Sequence, residues 1–543
     1  MAALDPRTGA LGKRLAKHLL SRLTFGPTRA QIDALATMTA SQAVDTLLIF
    51  NYSPLTEPID HLTGSTWVWN KHDDDENSNA LYQMVVGEFC NEAYFDNSAM
   101  SKLTFFLHRV FPTSRLTGGY NSEILYHQIN LLRMFAKGDF KALAKKISVD
   151  SSMLIYLNGA SNSKFGPNEN YAREFLELFT IGKGPQIAPG DYTNYTDTDV
   201  AEAAKLFTGW RVTYDLLNDQ DPATSLPRGV ADTVRHDSTD KTFSPALGGM
   251  TITGQNTAAG MITEISDFVN MVFAQPETAR NICRKIYQFF VHRDLTSDVE
   301  TNIITPLGAL LQTNNYDLSV VYKKLFKSKY FFDEDDAISG DEIIGGLVKS
   351  PLDYFLGTMR FFKTPAPDPT INRTNYNIFW SNRFYHYLAP GAGMEVFSPV
   401  TVASYPAYHQ EPSFDKLWIN SNTLAFRYKF SEMIRQNNLL IYNASLYGLQ
   451  LDMLAFVDDP TNISNPSDPT VLVNELQSYI FPESSPSDRD NYFRDAVLLA
   501  GNALTYWTSE WNAYKAGGPD TVVRAQLESL FDKLIQSPEY QLA

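Results

Sequence analysis

"GPNENYAREFLELFTIGKG" (residues 166–184) reads as one capped helix. Gly166-Pro167-Asn168 forms a turn and a helix cap, and Gly182 or Gly184 supplies the stop. Tyr171, Phe175 and Leu178 share an apolar face, with Ala172 and Phe179 beside it. Glu169, Arg173 and Glu177 recur at i, i+4 and i+8, so Arg173 can bridge both glutamates at ~0.3–0.5 kcal/mol per exposed pair. Glu169 also lies where the helix dipole favours an anion. Glu174 is left over. It projects between the two faces, and a carboxylate beside a Phe-Leu surface needs a partner or its pKa rises. A raised pKa suits a general acid. A structural and a catalytic reading of this helix both stand at this point.

The helical period extends outward in both directions. Leu11, Leu15, Leu19, Leu20 and Leu23 mark a first helix ending at "TFGPT". "TRAQIDALATM" and "TASQAVDTLLIF" follow as capped helices. The stretches from Leu81 to Phe111 and from Asn121 to Asn158 continue the pattern, and Asp199 with Glu202 reads as a capping box for "TDTDVAEAAKLFTGW". The expected architecture is mainly α: a multi-helix globular protein with two long irregular insertions and a small β element. The expected divisions are an N-terminal helical region at 1–210, an irregular or β insertion at 211–260 and a central helical region at 261–363. An irregular aromatic loop region at 364–415 and a C-terminal helical region at 416–543 complete it, the last interrupted by a Pro/Ser/Asp-rich segment at 459–488.

With 543 residues, two or three subdomains are expected. The 61 acidic against 45 basic residues give a net charge of −16, which argues against nucleic acid and against anionic membrane surfaces. The aromatic share of 13% fits ring-lined clefts or a Phe-rich core. Cys90 and Cys283 both lie in apolar surroundings and read as buried free thiols, with one disulfide as the alternative. The N-terminus lacks an apolar signal region and no run of about 18 apolar residues occurs, so a cytoplasmic chain with no transmembrane segment is expected.

Chemistry-bearing residues gather around the irregular segments. "RHDSTDKTF" places His236, Asp237, Asp240 and Lys241 together, types that serve a metal site or a general base with its orienter, or simply Asx turns. His108 and Arg109 close an apolar helix, where cations favour the dipole. Trp210 follows the Gly209 stop of "FTGW" and either stacks on a ligand ring or fills the core. The acidic run "HDDDEN" (72–77) reads as a solvated loop, with calcium as the alternative. Serine-hydrolase, zinc-peptidase, P-loop and dinucleotide signatures are absent.

In this order, "KHLLSRLTFGPTRAQIDAL", "KLTFFLHRVFPT", "GPNENYAREFLELFTIG", "YTDTDVAEAAKLFTGW", "RHDSTDKTF" and "VKSPLDYFLG" resemble the bacterial proteins grouped as domain of unknown function 1800, in their Bacteroidetes form. The resemblance runs from Leu11 to Ala543. It maps motif positions onto His108, Asn168, Glu169, Asn170, Arg173, Glu174, Glu177, Thr208, Gly209, Trp210, His236, Asp237 and Lys241. Two departures stand out. Relatives commonly carry a second histidine where this chain has Val110, and a tryptophan in the loop where "FSPVTVASYPAYHQ" has Tyr405. The resemblance implies a neighbouring-gene partner of domain-of-unknown-function family 1501, similar to phosphatases and sulfatases, and a periplasmic or extracellular setting.

Two functional expectations follow. In the first, Glu174, Glu169, His236 and Asp237 are catalytic, around a divalent cation if one binds, and hydrolyse or cleave a glycan or envelope polymer. Arg173, Lys241, Asn168, Asn170, Trp210 and Tyr405 then bind substrate. In the second, the same residues form capping and ion-pair networks in a non-catalytic scaffold or accessory subunit, which binds the phosphatase-like partner or the polymer.

Overall fold

Three helices open the chain: Gly12–Leu23, Arg29–Ala36 and Ala40–Leu48. The second and third start at capping boxes. Thr28 Oγ1 accepts the Gln31 N–H while Gln31 Oε1 accepts the Thr28 N–H, and Thr39 with Gln42 repeats the arrangement. Each cap is worth about 1 kcal/mol. Leu15, Leu19, Leu20 and Leu23 are all buried, as their spacing requires. This computed structural model describes residues 3–70, 78–115, 121–335, 342–410, 413–435 and 450–543. The acidic run at 72–77 lies outside them.

The architecture is mainly α. Among the described residues the strands form three two-stranded antiparallel sheets: β1 (Gln186–Ala188) with β2 (Asp191–Tyr192), β3 (Trp210–Arg211) with β4 (Val230–Ala231), and β5 (Lys241–Thr242) with β6 (Thr251–Ile252). Two long helices, Ala258–Ala274 and Pro276–Phe290, meet at Gln275, where proline at the first helical position starts the second without losing a hydrogen bond. The Thr305–Thr313 helix crosses the second at Gly308, where an added Cβ would lie 3.2 Å from the Arg280 nitrogen. One continuous buried apolar cluster runs from Leu4 to Tyr540. Cys90 and Cys283 are buried in it and unpaired.

Two expectations of irregular structure need correction. Within 364–415, Arg373–Asn377 begins a helix that continues as a wide π turn over Ile378–Leu388 and closes at Ala389–Gly391. The wider winding breaks the 3.6-residue period, which hides the helix from pattern reading. It packs on the Ser78–Phe95 helix at Gly87, where an added Cβ would meet the Trp380 Cβ at 3.0 Å. Within 459–488, Pro469–Ile480 is helical, capped by Asp468 and begun by Pro469. The proline that suggested a loop is the first residue of the helix.

Candidate functional site

The 166–184 stretch folds as a short α-helix, Asn170–Glu174, followed by a π turn, Phe175–Phe179. Asn168 caps it as an Asx turn, its Oδ1 accepting the Asn170 N–H at 2.9 Å. Gly182, at φ +76°, sends its N–H to the Leu176 carbonyl at 2.8 Å and ends the element. Arg173 pairs with Glu169 at 2.9 Å as expected. Its second partner is Asp197 at 3.1 Å, because Glu177 is taken by Lys183 at 2.6 Å. The N-terminal cap of the 197–206 helix also differs from expectation. Thr196 and Asp199 form the box, and Glu202 instead pairs with Lys205.

Glu174 makes no hydrogen bond or ion pair with the described residues. Burial first, and the neighbouring Glu177 charge second, push its carboxyl up to about 7, against Lys183 and Arg173. The Glu174 charge in turn adds to the effect of burial on the Tyr156 phenol.

Asn162 ties this helix to "FTGW". Its Oδ1 accepts the Asn168 N–H at 2.8 Å, its Nδ2 donates to the Ala204 carbonyl at 2.9 Å, and its carbonyl accepts the Gly209 N–H at 3.0 Å. Asn170 Nδ2 adds a bond to the Leu157 carbonyl at 3.4 Å. Asn168 thus spends its amide oxygen, and Asn170 its amide nitrogen, on the protein itself.

The next link is a sealed polar centre. Glu264, on the Ala258–Ala274 helix, receives His236 Nε2 at 3.0 Å, Lys241 Nζ at 2.7 Å and the Gln255 N–H at 2.6 Å. The side chains of His236, Lys241 and Glu264 are 0% exposed. His236 Nδ1 lies 2.9 Å from the Thr208 carbonyl, so both ring nitrogens sit beside oxygen atoms. Lys241 Nζ also donates to the Asp237 carbonyl, and the Asp237 N–H donates to Thr208 Oγ1 at 2.7 Å. The Asp237 carboxylate points elsewhere. Burial opposes its charge, but the Thr239 hydrogen bonds and the Lys241 charge hold it below the usual range. Gly209, at φ +82°, permits the turn that brings these groups together; an added Cβ would lie 2.7 Å from the Asp232 oxygen and 2.9 Å from the His236 nitrogen. The structure thus joins His236 and Lys241 to Glu264, a residue the motif reading did not single out. An acid on the apolar face Met261-Ile265-Phe268 was the signal available for it.

The aromatic positions lie in the core. Trp210 and Tyr405 are each 2% exposed, too enclosed to stack on a ligand. Trp210 pairs with Ala231 in the β3–β4 sheet, and Tyr405 stacks on Phe105 at 5.6 Å. His108 is fully buried against the edge of Phe397 at 4.7 Å. Burial pulls its pKa down to about 3, so it is a neutral ring at pH 7 and contributes no cation to the helix dipole.

A cavity of about 430 Å³ opens between the Met100–Val110 helix, the Pro276–Phe290 helix and the loop around 402–409. Arg109, Arg284, Lys285, His409, Asn281 and Gln288 supply its polar wall, and Leu178 brings the π turn to its edge. Arg284 is neutralised by Glu277 and Glu300. Arg109, only 9% exposed, donates to the Tyr408 carbonyl at 2.6 Å and the Lys285 carbonyl at 3.2 Å and lies 4.8 Å from the Tyr408 ring centre, with no carboxylate paired to it among the described residues. Burial lowers its pKa to about 10, so it stays charged at pH 7. Lys285 makes no side-chain hydrogen bond or ion pair among the described residues, and burial and the Arg109 charge pull its amine down to about 7. His409 Nε2 is buried with no hydrogen-bond partner among the described residues.

The family described as "Protein of unknown function (DUF1800)" matches residues 18–542. The chain belongs to it. No curated protein and no solved structure matches. Val110 and the loop residues Val402, Ala403, Tyr408 and His409 all border the cavity. Among the described residues no group of three or more His, Cys, Asp or Glu side chains is placed to hold a metal ion, and no helix is long and apolar enough to cross a membrane. Lys285 and His409 escaped motif reading because they lie far apart in the chain, and Arg109 because a helix-end cation already had an explanation.

Proposed function

We propose that this chain recognises an anionic group on a small polar ligand, seated in the Arg109–Lys285–His409 cavity. The observation that carries the reading is a buried arginine held by main-chain carbonyls alone, beside an unpaired amine, in a chain of net charge −16. Buried guanidinium groups ordinarily pair with carboxylates, and a fixed fork without one matches phosphate, sulfate or carboxylate. The volume is in the range of small-molecule pockets and suits a sugar-sized ligand or the end of an envelope polymer. In this reading the motif network holds the walls. The Asn162 and Glu264 links fix the 166–184 helix, and Asn281 Nδ2 donates to the Thr180 carbonyl at 2.7 Å, joining that helix to the cavity wall. Calorimetry with inorganic phosphate, sulfate and glucuronate on wild type and Arg109→Met tests it. At least one anion binds wild type and loses tenfold or more in the variant; equal binding by both proteins, or no binding at millimolar anion, overturns it.

A second reading rests on Glu174, half-buried, unpaired and titrating near neutrality. It keeps a general acid for hydrolysis or cleavage of a glycan or envelope polymer. Unchanged turnover of such a polymer by Glu174→Gln removes it. The accessory role, docking to a phosphatase- or sulfatase-like partner, agrees with anion recognition, because both proteins would then handle the same esters.

A further inference from the structure

Several other buried or half-buried lysines each have a use. Lys241 pairs with Glu264 and Lys102 with Asp353, while Lys17 donates to the Ser478 and Phe481 carbonyls and Lys349 to the Tyr540 carbonyl. Lys285 has none of these, and it borders the cavity. Its own carbonyl accepts from the Arg109 guanidinium at 3.2 Å, so its side chain begins beside a fixed positive charge. Arg284 precedes it on the same helix, and His409 lines the same cavity from the loop. A half-buried primary amine beside the Arg109 charge, with no carboxylate paired to it among the described residues, is an available nucleophile at neutral pH.

We propose that Lys285 is a reactive amine that condenses with an aldehyde or 2-oxo group carried by the anionic ligand. The inference rests on the anion reading above, with Arg109 holding the anionic end. The neutral amine attacks the carbonyl carbon, its nitrogen lone pair forming the C–N bond while the C=O pair goes to oxygen. The carbinolamine then loses water, the oxygen leaving with two protons, and a C=N bond remains. Amine and carbonyl give imine and water, so no oxidant or reductant is consumed. The depressed pKa of the amine leaves about half of it unprotonated near pH 7, where an exposed lysine is almost wholly charged.

Pyridoxal 5′-phosphate serves as the probe, because it carries an aldehyde and a phosphate. The full chain is incubated with substoichiometric probe at pH 7, reduced with borohydride, digested and mapped by mass spectrometry. Lys285 is expected as the dominant labelled lysine, at least tenfold above surface lysines. Inorganic phosphate should protect it, and Lys285→Arg should lose the label while keeping its fold by circular dichroism. Labelling spread over surface lysines with Lys285 bare overturns the inference. If phosphate still binds by calorimetry in that case, only the amine chemistry fails. If Lys285 is labelled equally by pyridoxal without phosphate and no anion binds, the amine stands and the anion reading fails.

Discussion

Replacing Glu264 by glutamine isolates the charge at the sealed polar centre. The substitution keeps the side-chain shape and one acceptor oxygen, but it removes the carboxylate that Lys241 meets at 2.7 Å and His236 at 3.0 Å. Lys241 Nζ is then left with the Asp237 carbonyl, in a site with no exposure. Breaking one partner out of a buried pair costs about 3–5 kcal/mol, most of it from the stranded charge. Glutamine's retained acceptor places E264Q near the lower end, at about 3 kcal/mol. Adding Lys241→Met should return part of that loss, about 1–3 kcal/mol by double-mutant cycle. Urea denaturation followed by tryptophan fluorescence gives the midpoint. Hydrogen exchange over 208–264 tells whether loosening starts at the centre, which matters because a chain this long need not unfold in one step. A midpoint shift equivalent to under about 0.5 kcal/mol, or no recovery in the double variant, would refute the view that this network locks the motif segments together.

Three further outcomes are expected. Lys285 binds its proton more weakly folded, at about 7, than unfolded, near 10.5, so wild-type stability rises with pH across that window; Lys285→Met should lack the rise and exceed wild type at pH 6, read from denaturation midpoints. Anion affinity should fall as pH rises through about 7, where Lys285 loses its charge while Arg109, at about 10, keeps its own. Glu174 has the opposite sign: its folded pKa of about 7 exceeds the unfolded 4.5, so stability falls as pH rises from 4.5 to 7. Glu174→Gln should be the more stable protein at pH 8 by about 1–2 kcal/mol, after allowance for solvent screening of a half-buried group. Gly209→Ala should cost about 2–3 kcal/mol in the same titration, because the backbone groups that a methyl would strike cannot swing aside.

Much of the helical fold was readable, and the reason is local. Capping boxes at Thr28 and Thr39 and the leucine ladder of 11–23 are written within a few consecutive residues. The helix at 373–391 was not readable, since its π winding departs from the period used to find helices. The motifs were legible as motifs, but not as a connected structure: nothing local says that Asn162 bonds to both Asn168 and Gly209, or that His236 turns inward to Glu264. Arg173 found Asp197 rather than Glu177 because a chain turn, not the helix, decides which acid lies nearest. The cavity was the least legible part, because Arg109, Lys285 and His409 come from three segments with no shared period.

That distance has a consequence for how the chain is made. Arg109 reaches the Lys285 carbonyl across 176 positions and the Tyr408 carbonyl across 299. A ribosome that has delivered the first two helical walls has made a half-built pocket with its guanidinium still uncovered, and the loop that closes it arrives only after residue 409. Truncations ending before that loop should therefore carry most of the recognisable family motifs and yet have no cavity, so a bound anion would report that the far ends of the chain have found one another.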